Sequence, residues 1–224
     1  MAVILHNACR DPQLCMRHED QAIAAARLSR HPAAKKQLAA CLLNKARTLM
    51  SEEMDQEQIR ALIREAEPLV MQHTEPLDEE RYQFACDAAM CCARDGDREQ
   101  AERYMQAADE IAFASPDSDL AVAEHLLEEN APFRAEMGQY DLAEEAVMQA
   151  VTLCDRHAGA LRYRETAFDA WFFLGRLRAM AGRWIKAEEA YGEAERRLGG
   201  TYFSFPLPLC PEEIRMRAER ERNL

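Results

Sequence analysis

His125 stands three and four residues before Glu128 and Glu129. On a helix that spacing brings an imidazole and two carboxylates onto one face, where such groups can share a metal ion. One motif of this kind supplies half a site at most. We read the three as a polar cluster on a helix face, and expect no metal or cofactor. Sulfur is the second candidate. The cysteines are Cys9, Cys15, Cys41, Cys86, Cys91, Cys92, Cys154 and Cys210. None forms the Cys-x-x-Cys pair that zinc ribbons and thioredoxin-like sites use. A catalytic thiol needs its pKa lowered by a base or a helix N-terminus. Cys91 and Cys92 fall late in a helical segment, so one is expected in the core and one at the surface, neither as a nucleophile. Met1–Cys15 has an apolar run of only four residues before His6 and Asn7, which is no signal peptide. The cysteines are therefore read as small apolar residues, reduced in a cytoplasmic protein. No Gly-rich phosphate loop, Gly-x-Ser-x-Gly, His-Glu-x-x-His or Walker pattern is present. Enzymatic activity is not expected.

The elements that must position these residues are helices. The 224 residues include 39 Ala against 17 β-branched residues, and only 8 Gly and 9 Pro. Alanine is the best helix former, and sheets want β-branched side chains. The fold class is all-α, and a sandwich, barrel or Rossmann fold is excluded. Punctuation places the helices. Asp11-Pro12, His31-Pro32 and Ser115-Pro116 open helices; Asp55-x-x-Gln58 and Asp97-x-x-Gln100 read as capping boxes. Gly96, Gly138 and Gly182 end helices, and Gly199-Gly200 stops a later one. The predicted helices span 12–29, 32–50, 56–72, 79–94, 98–114, 118–136, 139–156, 160–181, 183–198 and 211–222. Short connections make neighbours antiparallel hairpins. Pro132 should kink or break its helix near residues 128–131.

Aligned on the three glycines, residues recur in register. Seven positions before each stand Ala89, Ala131 and Gly175; five after stand Ala101, Ala143 and Ala187; twelve after stand Ala108, Ala150 and Ala194. Bulky residues recur nine after, at Met105, Val147 and Tyr191. The small positions let paired helices approach closely, and the bulky ones fill the space between hairpins. Such a hairpin cannot bury both faces alone, so hairpins must stack.

Trp171-x-x-Leu174-Gly175, followed by Gly182-Arg183-Trp184, Ala187, Tyr191 and Ala194, resembles the tetratricopeptide repeat. The glycines lie 42 and 44 residues apart, against about 34 for the usual unit. The longer period is similar to the variant found in kinesin light chains. Asn130 departs from the pattern at a leucine-like position, and Arg134 and Arg178 stand where an aromatic is usual. The resemblance covers about residues 80–198. It implies a right-handed α-α superhelix of antiparallel hairpins: residues 1–72 as a capping helix and degenerate repeat, 79–198 as repeats, and 199–224 as an apolar extended segment with a C-terminal capping helix. It also implies a concave groove lined by Gln83, Cys86 and Met90, by His125, Glu128 and Pro132, and by Asp169, Phe172 and Arg176. Asp87, Glu129 and Glu136 would extend its acidic side.

Charge says what such a groove would hold. Residues 51–160 carry 8 basic and 27 acidic side chains, residues 1–50 carry 8 and 3, and residues 161–224 carry 12 and 10. The acidic middle argues against nucleic acid, whose phosphates need clustered Lys and Arg. It suits a basic or amphipathic protein or peptide segment, with Phe172 and Met90 as apolar anchors. No apolar run approaches the roughly 20 residues that span a bilayer. Tyr202, Phe203, Phe205, Leu207 and Leu209 are expected to pack on the last repeat, or on a second subunit in a homodimer. The expected function is a protein–protein interaction scaffold. The alternatives are a peptide-sensing regulator of the same repeat class, and an enzyme or metal-dependent protein with an unrecognised site.

Overall fold

The computed structural model describes residues 12–31, 33–52, 55–114, 118–197 and 211–223. Among them every regular element is helical. The helices are α1 (Pro12–Leu28), α2 (Ala34–Ser51), α3 (Gln56–His73), α4 (Glu79–Arg94), α5 (Arg98–Ala114), α6 (Asp119–His125, Leu126–Asn130 and Ala131–Glu136), α7 (Tyr140–Asp155), α8 (Leu161–Met180), α9 (Trp184–Arg197) and α10 (Pro211–Arg222). All ten expected helices form, with ends shifted by at most two residues. None is long and apolar enough to cross a membrane.

Local chemistry sets the ends. The Asp55 carboxylate accepts the Glu57 backbone N–H at 3.0 Å, and Asp97 accepts that of Gln100 at 3.2 Å. Ser118 caps α6 by accepting the Ala121 N–H at 2.9 Å; the Ser115-Pro116 start and Pro32 lie outside the described residues. Gly96, Gly138 and Gly182 have φ of 78°, 72° and 73°. After each glycine the next backbone N–H reaches back five residues: Asp97 to Cys92, Gln139 to Arg134, Arg183 to Arg178. The same left-handed turn thus closes three helices and turns the chain into its partner helix.

The chain divides into two compact units, Met1–Ala114 and Ser115–Leu224. In the first, Leu38, Leu42, Ala46 and Leu49 of α2 meet Ile59, Ile63, Ala66 and Val70 of α3, with Phe84 and Ala88 of α4 completing the core. Both runs step by three or four residues, so each helix offers one apolar stripe. Polar contacts tie each helix to the one two along: Arg27 to Glu65 (α1 to α3), Arg47 to Asp87 (α2 to α4) and Tyr104 to Glu67 (α5 to α3).

The second unit repeats that scheme. Ala143, Ala150, Ala187 and Ala194 are buried at helix crossings. Arg162 reaches Glu124 (α8 to α6), and Arg197 reaches Asp155 (α9 to α7). Arg178 is held in place: its guanidinium donates to the Glu144 carboxylate and to the Lys186 carbonyl, both at 3.2 Å. Pro132 disturbs α6 where expected, and the outcome is a wider turn. Proline has no N–H, and its ring crowds the carbonyl four residues back. Residues Leu126–Asn130 form a π-helical turn, and the Ala131 N–H bonds the Leu126 carbonyl, so the helix runs on. At the other end α10 lies along α9. Ile214 and Ala218 are buried, the Arg217 guanidinium sits 4.5 Å from the Trp184 ring centre, and the Glu221 carboxylate accepts the Ile185 N–H at 2.9 Å. The apolar run from Tyr202 to Leu209 lies outside the described residues.

Candidate binding surface

The groove positions named from the sequence divide between the units. In the first unit Gln83 and Met90 are half-buried, and Cys86 is buried. Met90 packs against the core. Asp87, expected to extend an acidic surface, is instead 5% exposed and held by Arg47, whose Nε donates to its two oxygens at 2.7 and 3.0 Å. The reason is its place on α4, which turns Asp87 toward α2. Burial outweighs the Arg47 charge and pushes the Asp87 carboxyl up to about 6.

In the second unit His125 is 3% exposed while Glu128 is exposed. The imidazole therefore sits inside the unit, and the expected cluster does not face solvent together. Glu129 and Pro132 are half-buried; Glu136 is exposed. Among the described residues no group of His, Cys, Asp and Glu is arranged to hold a metal ion. The thiols are equally quiet. Burial is the first cause that pushes Cys91, Cys92 and Cys154 up to about 11. At neutral pH they stay protonated, which makes them poor nucleophiles.

What the second unit does bring together lies on α6 and α8. Glu128 of α6 and Asp169 of α8 are both exposed, yet each has its carboxyl raised. Partial desolvation is the larger cause for both. Glu124 adds to it at Glu128, and Glu128 adds to it at Asp169. The nearby cation, Arg162, is engaged with Glu124 at 2.8 Å. One turn along α8, Phe168 and Phe172 stack with ring centres 5.9 Å apart, and Phe172 meets Tyr191 of α9 edge-on at 5.3 Å. Both phenylalanines are half-buried, and Arg176 beyond them is exposed. Tyr191 reaches this position because residue 175 is glycine: a Cβ there would lie 2.8 Å from the ring.

The face is thus a pole of carboxylates beside an aromatic stack. Phe168, Glu165, Glu124 and Arg162 were not singled out from the sequence. The four-residue spacings Glu124–Glu128, Glu165–Asp169 and Phe168–Phe172 are the signal that would have found the first three, and Arg162 had none. No protein-family model matches this chain, and no curated protein matches its sequence.

Proposed function

We propose that the chain is a helical-repeat interaction protein of the tetratricopeptide kind, and that the α6–α8 face of its second unit receives a basic or amphipathic polypeptide segment. The observation that carries the reading is the pairing of Glu128 and Asp169 beside Phe168 and Phe172. Like charges held partly out of water are relieved when a cation comes between them. A half-exposed aromatic stack offers an apolar side chain a place to land. The repeat reading draws on the three left-handed glycine turns and on polar contacts that join helices two apart. Six described cysteines are free, which fits a reducing compartment such as the cytoplasm.

The test is affinity capture from the source cells with the wild-type chain and with Glu128→Lys/Asp169→Lys, quantified by mass spectrometry. A partner with a basic segment should be retained by the wild type and reduced about tenfold or more by the double reversal, a change of about 1.4 kcal/mol. Both substitutions are at exposed positions, so the melting temperature should hardly move. Equal recovery of the same partners on both baits would remove this face from the mechanism.

A further inference from the structure

The aromatic side of the α6–α8 face is a short series of rings. Tyr191 meets Phe172 edge-on at 5.3 Å, and Phe172 stacks on Phe168 with ring centres 5.9 Å apart and planes 25° from parallel. The series stops there. Phe168 is half-buried and meets no further ring or cation among the described residues.

Carboxylates surround this last ring. Glu165 stands three residues before Phe168, one turn back on the same side of α8, and Asp169 follows it. Glu128 of α6 joins them, since both it and Glu165 push the Asp169 carboxyl up. Arg162 gives its hydrogen bonds to one Glu124 oxygen, through Nε at 3.1 Å and Nη2 at 2.8 Å. Glu128, Glu165 and Asp169 accept no hydrogen bond and form no ion pair among the described residues. Arg164, four residues before Phe168, is exposed and forms no ion pair or ring contact among them either.

By charge alone a lysine and an arginine would answer these carboxylates equally. The ring separates them. An ammonium is a compact, strongly hydrated point charge. A guanidinium is flat and weakly hydrated, so it can lie on an aromatic face while its edge donates to carboxylates. Resting on the reading that this face receives a basic or amphipathic segment, we propose that the cation it takes is an arginine, its guanidinium stacked on Phe168 as the next member of the ring series and its edge donating to Asp169 and Glu165.

The full ¹⁵N-labelled chain is titrated with three blocked pentapeptides, Gly-Leu-X-Leu-Gly, in which X is arginine, lysine or citrulline. Citrulline keeps the flat shape and loses the charge. All shifts should centre on the amides of residues 165–172. The arginine peptide should bind about fivefold more tightly than the lysine peptide, and tenfold or more tightly than the citrulline peptide, as loss of a charge-assisted pair implies. Phe168→Leu should bring the arginine peptide down to the level of the lysine peptide, whose own affinity should stay in place. In the wild type the δ protons of the bound arginine should show contacts to the Phe168 ring, a readout that needs no variant. Equal or tighter binding of the lysine or citrulline peptide, a preference that survives Phe168→Leu, or an arginine remote from that ring overturns the guanidinium proposal and leaves the basic-segment reading standing. Failure of the arginine and lysine peptides alike to shift these amides overturns both.

Discussion

Replacing Gly175 with alanine sets two effects of opposite sign against each other. Residue 175 lies inside α8, where alanine is favoured over glycine by about 1 kcal/mol. The new Cβ would meet three Tyr191 ring carbons at 2.8–2.9 Å, roughly an ångström inside normal contact. The ring cannot swing away freely, because its edge packs on Phe172. Overpacking of this kind costs about 1–3 kcal/mol, so the net effect of Gly175→Ala should be a loss of roughly 1 kcal/mol. In a Tyr191→Ala background the obstacle is gone, and the same substitution should stabilise by about 1 kcal/mol. The coupling between the two sites is then about 2 kcal/mol, well above the error of a double-mutant cycle. Urea unfolding followed by tryptophan emission is the assay, since Trp171 and Trp184 both lie in the second unit, Trp171 on α8 itself. A Gly175→Ala effect of the same sign and size in both backgrounds would refute the claim that this glycine exists to admit Tyr191.

Three further outcomes are expected. The folded-state pKa of Asp87 is raised to about 6 against about 3.9 unfolded, so its contribution is fully present below pH 4 and lost as pH rises through 6; wild type minus Asp87→Asn stability should fall by roughly 2–3 kcal/mol over that window. Ala143→Arg and Ala187→Arg, at positions with 0% exposure, should each cost about 3–5 kcal/mol through overpacking and a buried charge; an unchanged melting temperature would break the repeat register. Ser118→Ala should cost about 1 kcal/mol by removing the α6 cap, read as a lower urea midpoint with unchanged slope.

The helix ends were legible because their causes are local. Glycine, an Asp or Ser cap and a proline act within four or five residues, and the turns at Gly96, Gly138 and Gly182 form on those terms. The register of small residues was legible too, since Ala101, Ala143 and Ala187 are all buried. The surface was harder. Asp87 looked like an exposed acid because its partner, Arg47, is forty positions away. His125 and Cys86 fell at groove positions by alignment yet turned inward, which depends on how neighbouring helices close over them. Arg162 commits its hydrogen bonds to Glu124 across thirty-eight residues, and at Glu128 and Asp169 partial desolvation and neighbouring carboxylates outweigh its charge. No local pattern carries such a choice.

The Glu221 carboxylate that seals the first turn of α9 lies 36 residues downstream of Ile185, whose N–H it accepts. A ribosome adding about 5–20 residues per second leaves that amide without its cap for roughly 2–7 seconds after Ile185 is made. During the interval the sides of Trp184 and Ala187 that Ile214 will cover stand open, while every residue of the first unit has already been synthesised. Nascent chains stalled within this window carry the α8–α9 hairpin with that surface uncovered, and are the ones that should attract chaperones.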